Sequence, residues 1–146
     1  MKNTEALQIL NALKKLDTYK NDSGDEVQYH FGSEAVFAIG KNIRKLTTIQ
    51  SDLEQARVRL VKALLQPGEK EIPPNDPRLS GLIEEIASLY DQESDFKPHK
   101  FKAAALRAEI NPLPPSVIAV IEPLITDETP PDTTAPAAGG GVPAAK

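Results

Sequence analysis

The chain has no cysteine and no tryptophan, and only two histidines among its 146 residues. Aromatic residues make up 5% of it. Without thiols there is no disulfide frame, no thiolate nucleophile and no zinc–thiolate site. That composition fits a cytoplasmic origin. Long apolar runs are also missing: stretches such as Val117–Ile121 fall far short of the roughly 20 residues a membrane-spanning helix needs. The opening MKNTEALQILNALKKLDTYK has neither an apolar stretch nor a small-residue cleavage site, so it does not read as a signal peptide.

Proline is abundant, at 13 residues, and eight of these lie at or after Pro112. Residues 127–146 read DETPPDTTAPAAGGGVPAAK, with no aromatic residue and one large aliphatic, Val142. Such a segment buries too little apolar area to offset the entropy of ordering it. The expectation is a helical domain over 1–126 and a disordered Pro/Ala/Gly-rich tail over 127–146.

The net charge of −4 is unevenly spread. Residues 33–67 carry six bases against three acids, residues 68–96 eight acids against Lys70 and Arg78, and residues 97–110 are basic again. A basic element followed by an acidic one suggests that they face each other or oppositely charged partners.

Apolar spacing predicts a first helix from Glu5 to about Tyr19, capped by Thr4. Asn21–Asp25 reads as a turn and Val27–Phe31 as an extended segment. A long helix then runs from about 34 to 66, with Ser33 as its cap. Its stripe is Val36, Ile39, Ile43, Leu46, Leu53, Leu60 and Leu64, interrupted by Gln50 and Arg57. Gly40 inside it implies a bend or a close backbone approach. Pro67-Gly68 ends this helix, and Asp76-Pro77 starts the next, which extends to about Gln92. Residues 96–102 read as extended and are followed by a short helical turn; a last short helix begins at Pro115.

Catalytic and metal motifs fail on inspection. There is no G-x-S-x-G turn. A calcium loop with Gly24 as its sixth-position glycine would need a carboxylate at Tyr19, its first position. A phosphate loop ending on Gly40-Lys41 would need glycine at Ala35 and Ser or Thr at Asn42. His30 and His99 would come close if their extended segments paired, but two histidines without a third ligand make a poor metal site. The expectation is therefore no enzyme, no catalytic residue, no metal and no cofactor. A basic set on the long helix, Lys41, Arg44, Lys45, Arg59 and Lys62, supports an alternative reading as a small nucleic-acid-associated or regulatory protein. Asp52 interrupts that face, the flanking aromatics needed for stacking are lacking and the net charge is negative, so nucleic acid is not the expected partner.

The order of elements is distinctive. A short amphipathic helix leads to Val27-Gln-Tyr-His-Phe31, then Phe37-Ala-Ile-Gly-Lys-Asn-Ile-Arg-Lys-Leu46 opens the long helix. The domain closes with Ile110-Asn-Pro-Leu-Pro-Pro and Ile121-Glu-Pro-Leu-Ile125. Over about 5–125 this resembles a group of small uncharacterised proteins encoded by tailed bacteriophages and prophages among structural and assembly genes. The resemblance implies a virion, assembly or host-interaction role in the host cytoplasm or the virion, and it carries over no catalytic residue.

These readings combine into one expectation. The fold is mainly α, a helical hairpin built on the long helix with three shorter helices and a short two-stranded β-ribbon, pairing 27–31 with 97–102. Tyr29, Phe31, Phe37, Phe96 and Phe101 would gather where ribbon meets helix. The function expected is protein–protein interaction or self-association through Ile43, Leu46, Gln50, Leu53, Arg57, Leu60 and Leu64, with the two polar positions selecting register.

Overall fold

The computed structural model describes residues 1–126, and the expected tail at 127–146 lies outside the described residues. Helix α1 (Asn3–Lys14) leads to strands β1 (Thr18–Lys20) and β2 (Glu26–Gln28). Helix α2 (Ser33–Leu64) and helix α3 (Arg78–Asp91) form a hairpin. Strand β3 (Phe101–Lys102), a 3₁₀ turn (Ala103–Leu106), helix α4 (Pro115–Ile121), a second 3₁₀ turn (Glu122–Leu124) and strand β4 (Ile125–Thr126) complete it. The architecture is mainly helical, and α2, with 32 residues, is about 48 Å long.

α1 stops at Lys14, five residues before the expected end at Tyr19. Thr18 and Tyr19 favour extended backbone and find partners there. Thr18 lies opposite Gln28, Tyr19 opposite Val27 and Lys20 opposite Glu26 in an antiparallel pair. The intervening turn is set by Asn21, whose Oδ1 accepts the N–H groups of Ser23 and Asp25 at 3.0 and 2.9 Å. The β-ribbon thus joins β1 to β2, whereas 27–31 and 97–102 were expected to pair. β3 instead pairs in parallel with β4, Phe101 opposite Ile125.

Thr4 is not the cap of α1. Its Oγ1 donates to the Tyr90 carbonyl at 3.0 Å, and Asn3 Nδ2 donates to the Leu89 carbonyl at 3.0 Å. The Asn3 N–H adds a bond to the Gln92 carbonyl. The last carbonyls of a helix lack partners within it. Here the first residues of α1 satisfy those of α3, and the positive end of one helix dipole meets the negative end of the other. At the start of α2, Gly32 is the cap and Ser33 the first helical residue.

The core contains Leu10 and Leu13 from α1, Leu46 from α2, Phe101 from β3, Ile121 from α4 and Leu124, all fully buried. Ala35 and Ala38 on α2 are fully buried, and their small side chains allow neighbouring elements a close approach. The buried face of α2 is accordingly Ala35, Ala38, Ile39, Asn42, Leu46 and Leu53. Val36 and Phe37, expected inside, are each 57% exposed. Tyr29 is buried and stacks on Phe31 with 5.1 Å between ring centroids, and Phe96 and Phe101 are also buried. Of the five aromatics expected to gather, Phe37 stands apart.

Candidate functional site

The long stripe of α2 divides in two. Leu46 and Leu53 are buried by the chain itself, and Ile43 packs against the core. Leu60 is half-buried and Leu64 exposed. Gln50 points outward, and Arg57 is paired with Glu54 one turn earlier in the same helix. That pair lowers the Glu54 carboxyl below its ordinary range, through its hydrogen bond to the guanidinium first. Neither interruption of the stripe is therefore a buried polar group.

Among the described residues, those of α2 beyond Leu53 are at most partly buried. The outer turns of α2 and the face of α3 bound two adjoining open clefts of about 330 and 320 Å³. Both include Leu60 and Glu85. Ala63, Leu64, Gly81 and Leu82 complete one, and Ala56, Arg59, Ser88 and Leu89 belong to the other. On α2 these positions recur at 56, 59–60 and 63–64, one face of a helix, and small residues at 56, 63, 81 and 88 lower the floor. The result is a shallow groove with leucine walls, Arg59 on one rim and Glu85 on the other.

One arginine organises the outer end of this groove. Arg78 Nη1 donates to the Leu64 carbonyl at 2.6 Å and to Glu69 Oε1 at 2.8 Å. Nη2 donates to Glu69 Oε2 and Asp76 Oδ2 at 3.0 and 2.9 Å, and Nε to Asp76 Oδ1 at 2.9 Å. All five guanidinium N–H groups have acceptors. Asp76 Oδ1 also accepts the Arg78 backbone N–H at 2.9 Å, and Glu69 Oε1 that of Gln66 at 2.8 Å. Asp76 was expected as the cap with Pro77 in the first turn; instead Pro77 stands at the cap position and Arg78 is the first helical residue, with Asp76 Oδ1 accepting its N–H from one residue further out. These bonds, the guanidinium's first, hold the Glu69 and Asp76 carboxyls down to about 2.

The two histidines are held by their backbones. Asn42 is fully buried; its Nδ2 donates to the His99 carbonyl at 2.9 Å, and its Oδ1 accepts the His99 N–H at 2.8 Å. Asn111 is buried and treats His30 the same way: Oδ1 accepts the His30 N–H at 3.0 Å, and Nδ2 donates to the His30 and Leu106 carbonyls. Each amide replaces a β-bridge where no second strand is present. Neither asparagine stands out in the sequence. The available signal for Asn42 is its position four residues before Leu46 and three after Ile39, on the inward face.

The basic residues also divide. Arg59 and Lys62 belong to the outer hairpin, about 27 Å along α2 from Lys41. Lys41 lies over the Phe37 ring, 5.5 Å from its centroid, and the His99 ring meets Phe37 edge-on at 5.4 Å. Lys45 Nζ donates to the Lys97 carbonyl at 2.9 Å. An aromatic pair thus stands beside the inner cations, which the sequence alone did not reveal. Among the described residues, no cluster of three or more His, Cys, Asp or Glu is placed to hold a metal ion, and no helix is long and apolar enough to cross a membrane. No protein family, curated protein or solved structure matches the chain.

Proposed function

We propose that the chain is a non-enzymatic interaction protein, a phage virion, assembly or accessory component, that presents the outer half of the α2–α3 hairpin to an amphipathic helix of a protein partner. The groove between residues 56–64 and 78–92 carries this reading. It is lined by Leu60, Leu64, Leu82 and Leu89 with small residues between them, the form of surface into which a helix lays an apolar face. Ile83, at 63% exposure, adds an apolar residue to the same hairpin. The phage assignment rests on the resemblance over about 5–125.

The test is hydrogen exchange of the full chain, alone and with the products of its neighbouring genes, together with solution mass by light scattering. Protection of residues 56–64 and 78–92 on adding one such product, lost in Leu64→Glu, is the expected result. Protection by self-association alone would transfer the groove to a second copy. A monomer whose groove amides no neighbouring product protects would overturn the proposal. Capsid or tail genes as neighbours support the phage assignment, and a metabolic neighbourhood opposes it.

A further inference from the structure

The inner half of α2 carries a second surface that the groove does not use. Asn42 pins the peptide of His99 to the helix, and Lys45 reaches the Lys97 carbonyl. Glu34 Oε2 accepts the Lys102 N–H at 2.8 Å. The segment 97–102 therefore runs back along α2, with Lys97 beside Lys45 and Lys102 beside Glu34. Two stretches far apart in sequence pool their charge in this way. Residues 34–45 and 95–102 together hold six cations, Lys41, Arg44, Lys45, Lys97, Lys100 and Lys102, against Glu34 and Asp95. Among the described residues none of the six is in an ion pair. An unpaired cationic field on a chain of net charge −4 is matched to a polyanion.

An exposed ring lies within the α2 part of this field. Phe37 is 57% exposed, against the ordinary preference of phenylalanine for the interior. Lys41 lies over it, Arg44 is two turns on, and the His99 ring braces its edge. We infer that this surface binds single-stranded nucleic acid, with an unpaired base stacked on Phe37 and the phosphates on Lys41, Arg44, Lys45, Lys97 and Lys100. An aromatic platform flanked by cations is the recurring solution for sequence-tolerant single-strand binding. A duplex keeps its bases stacked on each other and cannot use the ring. An anionic bilayer needs a broader apolar face than Val36 and Phe37 supply.

The test is fluorescence anisotropy of the full chain with a labelled oligothymidylate of about twelve nucleotides, a length within known single-strand site sizes. Matched duplex and phosphatidylserine-containing vesicles are the comparisons. Binding at about 50 mM salt is expected, with log K falling against log salt at a slope of about −3.5, as about five phosphate contacts on a single strand require. Phe37→Ala should weaken binding about tenfold and leave that slope unchanged, because stacking is lost and no charge is. Lys41→Gln with Lys45→Gln should make the slope shallower by about 1.4. Lys62→Gln, on the same helix but distant, should bind as the unaltered chain does. All these side chains are at the surface, and circular dichroism verifies that each variant is folded. Absence of oligonucleotide binding, equal or tighter binding of duplex, binding to vesicles alone, or indifference to Phe37→Ala would each overturn the inference.

Discussion

The side-chain amide of Asn42 and the backbone of His99 face each other through two hydrogen bonds of 2.9 and 2.8 Å, with the asparagine fully buried. With the Lys45–Lys97 and Glu34–Lys102 bonds, this contact holds residues 97–102 against a helix that ended more than thirty positions earlier. Replacing Asn42 by leucine removes both bonds and leaves a peptide N–H and C=O short of partners, at about 1–3 kcal/mol each. Urea unfolding should show a fall of about 2 kcal/mol or more. Gln50→Leu, at the exposed position once expected to be the buried polar residue, should stay within about 0.5 kcal/mol. The reverse order would mean that the buried face of α2 is misassigned.

The Arg78 cluster sets an acid limit. Glu69 and Asp76 have folded values lowered to about 2 from ordinary values of 4.5 and 3.8. Lowered carboxyls stabilise above their unfolded values, and that contribution is lost as pH falls. The stabilisation is thus complete above about pH 4.5 and is lost between there and about 2. Carboxyl titration by NMR should find both groups near 2, and Arg78→Gln should return them toward 4. Ordinary titration in the unaltered chain would remove the clamp from the account.

Leucines at opposite ends of the stripe should separate cleanly. Leu46→Ala empties a fully buried site and should cost about 2–5 kcal/mol. Leu64→Ala, at an exposed groove position, should cost less than about 1 kcal/mol. Equal losses would mean that the outer hairpin is covered within the monomer.

Two glycines should respond with opposite sign. Gly40 lies in mid-helix, and a Cβ there would meet only Arg44 Nη1 at 3.9 Å, so no close approach requires glycine. Gly40→Ala should stabilise by about 1 kcal/mol. Gly68 has φ +87, where an alanine is strained even with open space around it. Gly68→Ala should destabilise by about 1 kcal/mol. Thermal or urea unfolding of the two variants checks both signs.

The helices were legible because their information is local. Proline and the Asp76-Pro77 start signal bracket α2, α3 and α4, and the turn at Asn21–Asp25 follows from short-range asparagine chemistry. The inner register of α2 was misread because Val36 and Phe37 outweigh Ala35 and Ala38 in hydrophobicity. What puts the alanines inside is how the rest of the chain packs on that face, a tertiary fact. Strand pairing was misassigned for a similar reason: two- and three-residue strands carry almost no pattern, so their partners are chosen by the rest of the fold. The groove was half legible, since Leu60 and Leu64 are in the stripe, whereas its α3 wall depends on how the hairpin closes. The Phe37 surface needed the Asn42–His99 contact before its charges could be assembled.

Completion of the C-terminal end of α3 by Asn3 and Thr4 governs the order of assembly in time. During synthesis α1 emerges first, yet the carbonyls it serves, at Leu89, Tyr90 and Gln92, emerge late, and its α4 neighbour later still. The α2–α3 hairpin, closed over residues 65–77, can form while α1 waits. Docking α1 closes a longer stretch of chain than the hairpin does, and long-range closures form more slowly in general. Until it happens, the apolar faces of α1 and the inner α2 are open together, and this is the interval in which the chain is most exposed to association with its own copies.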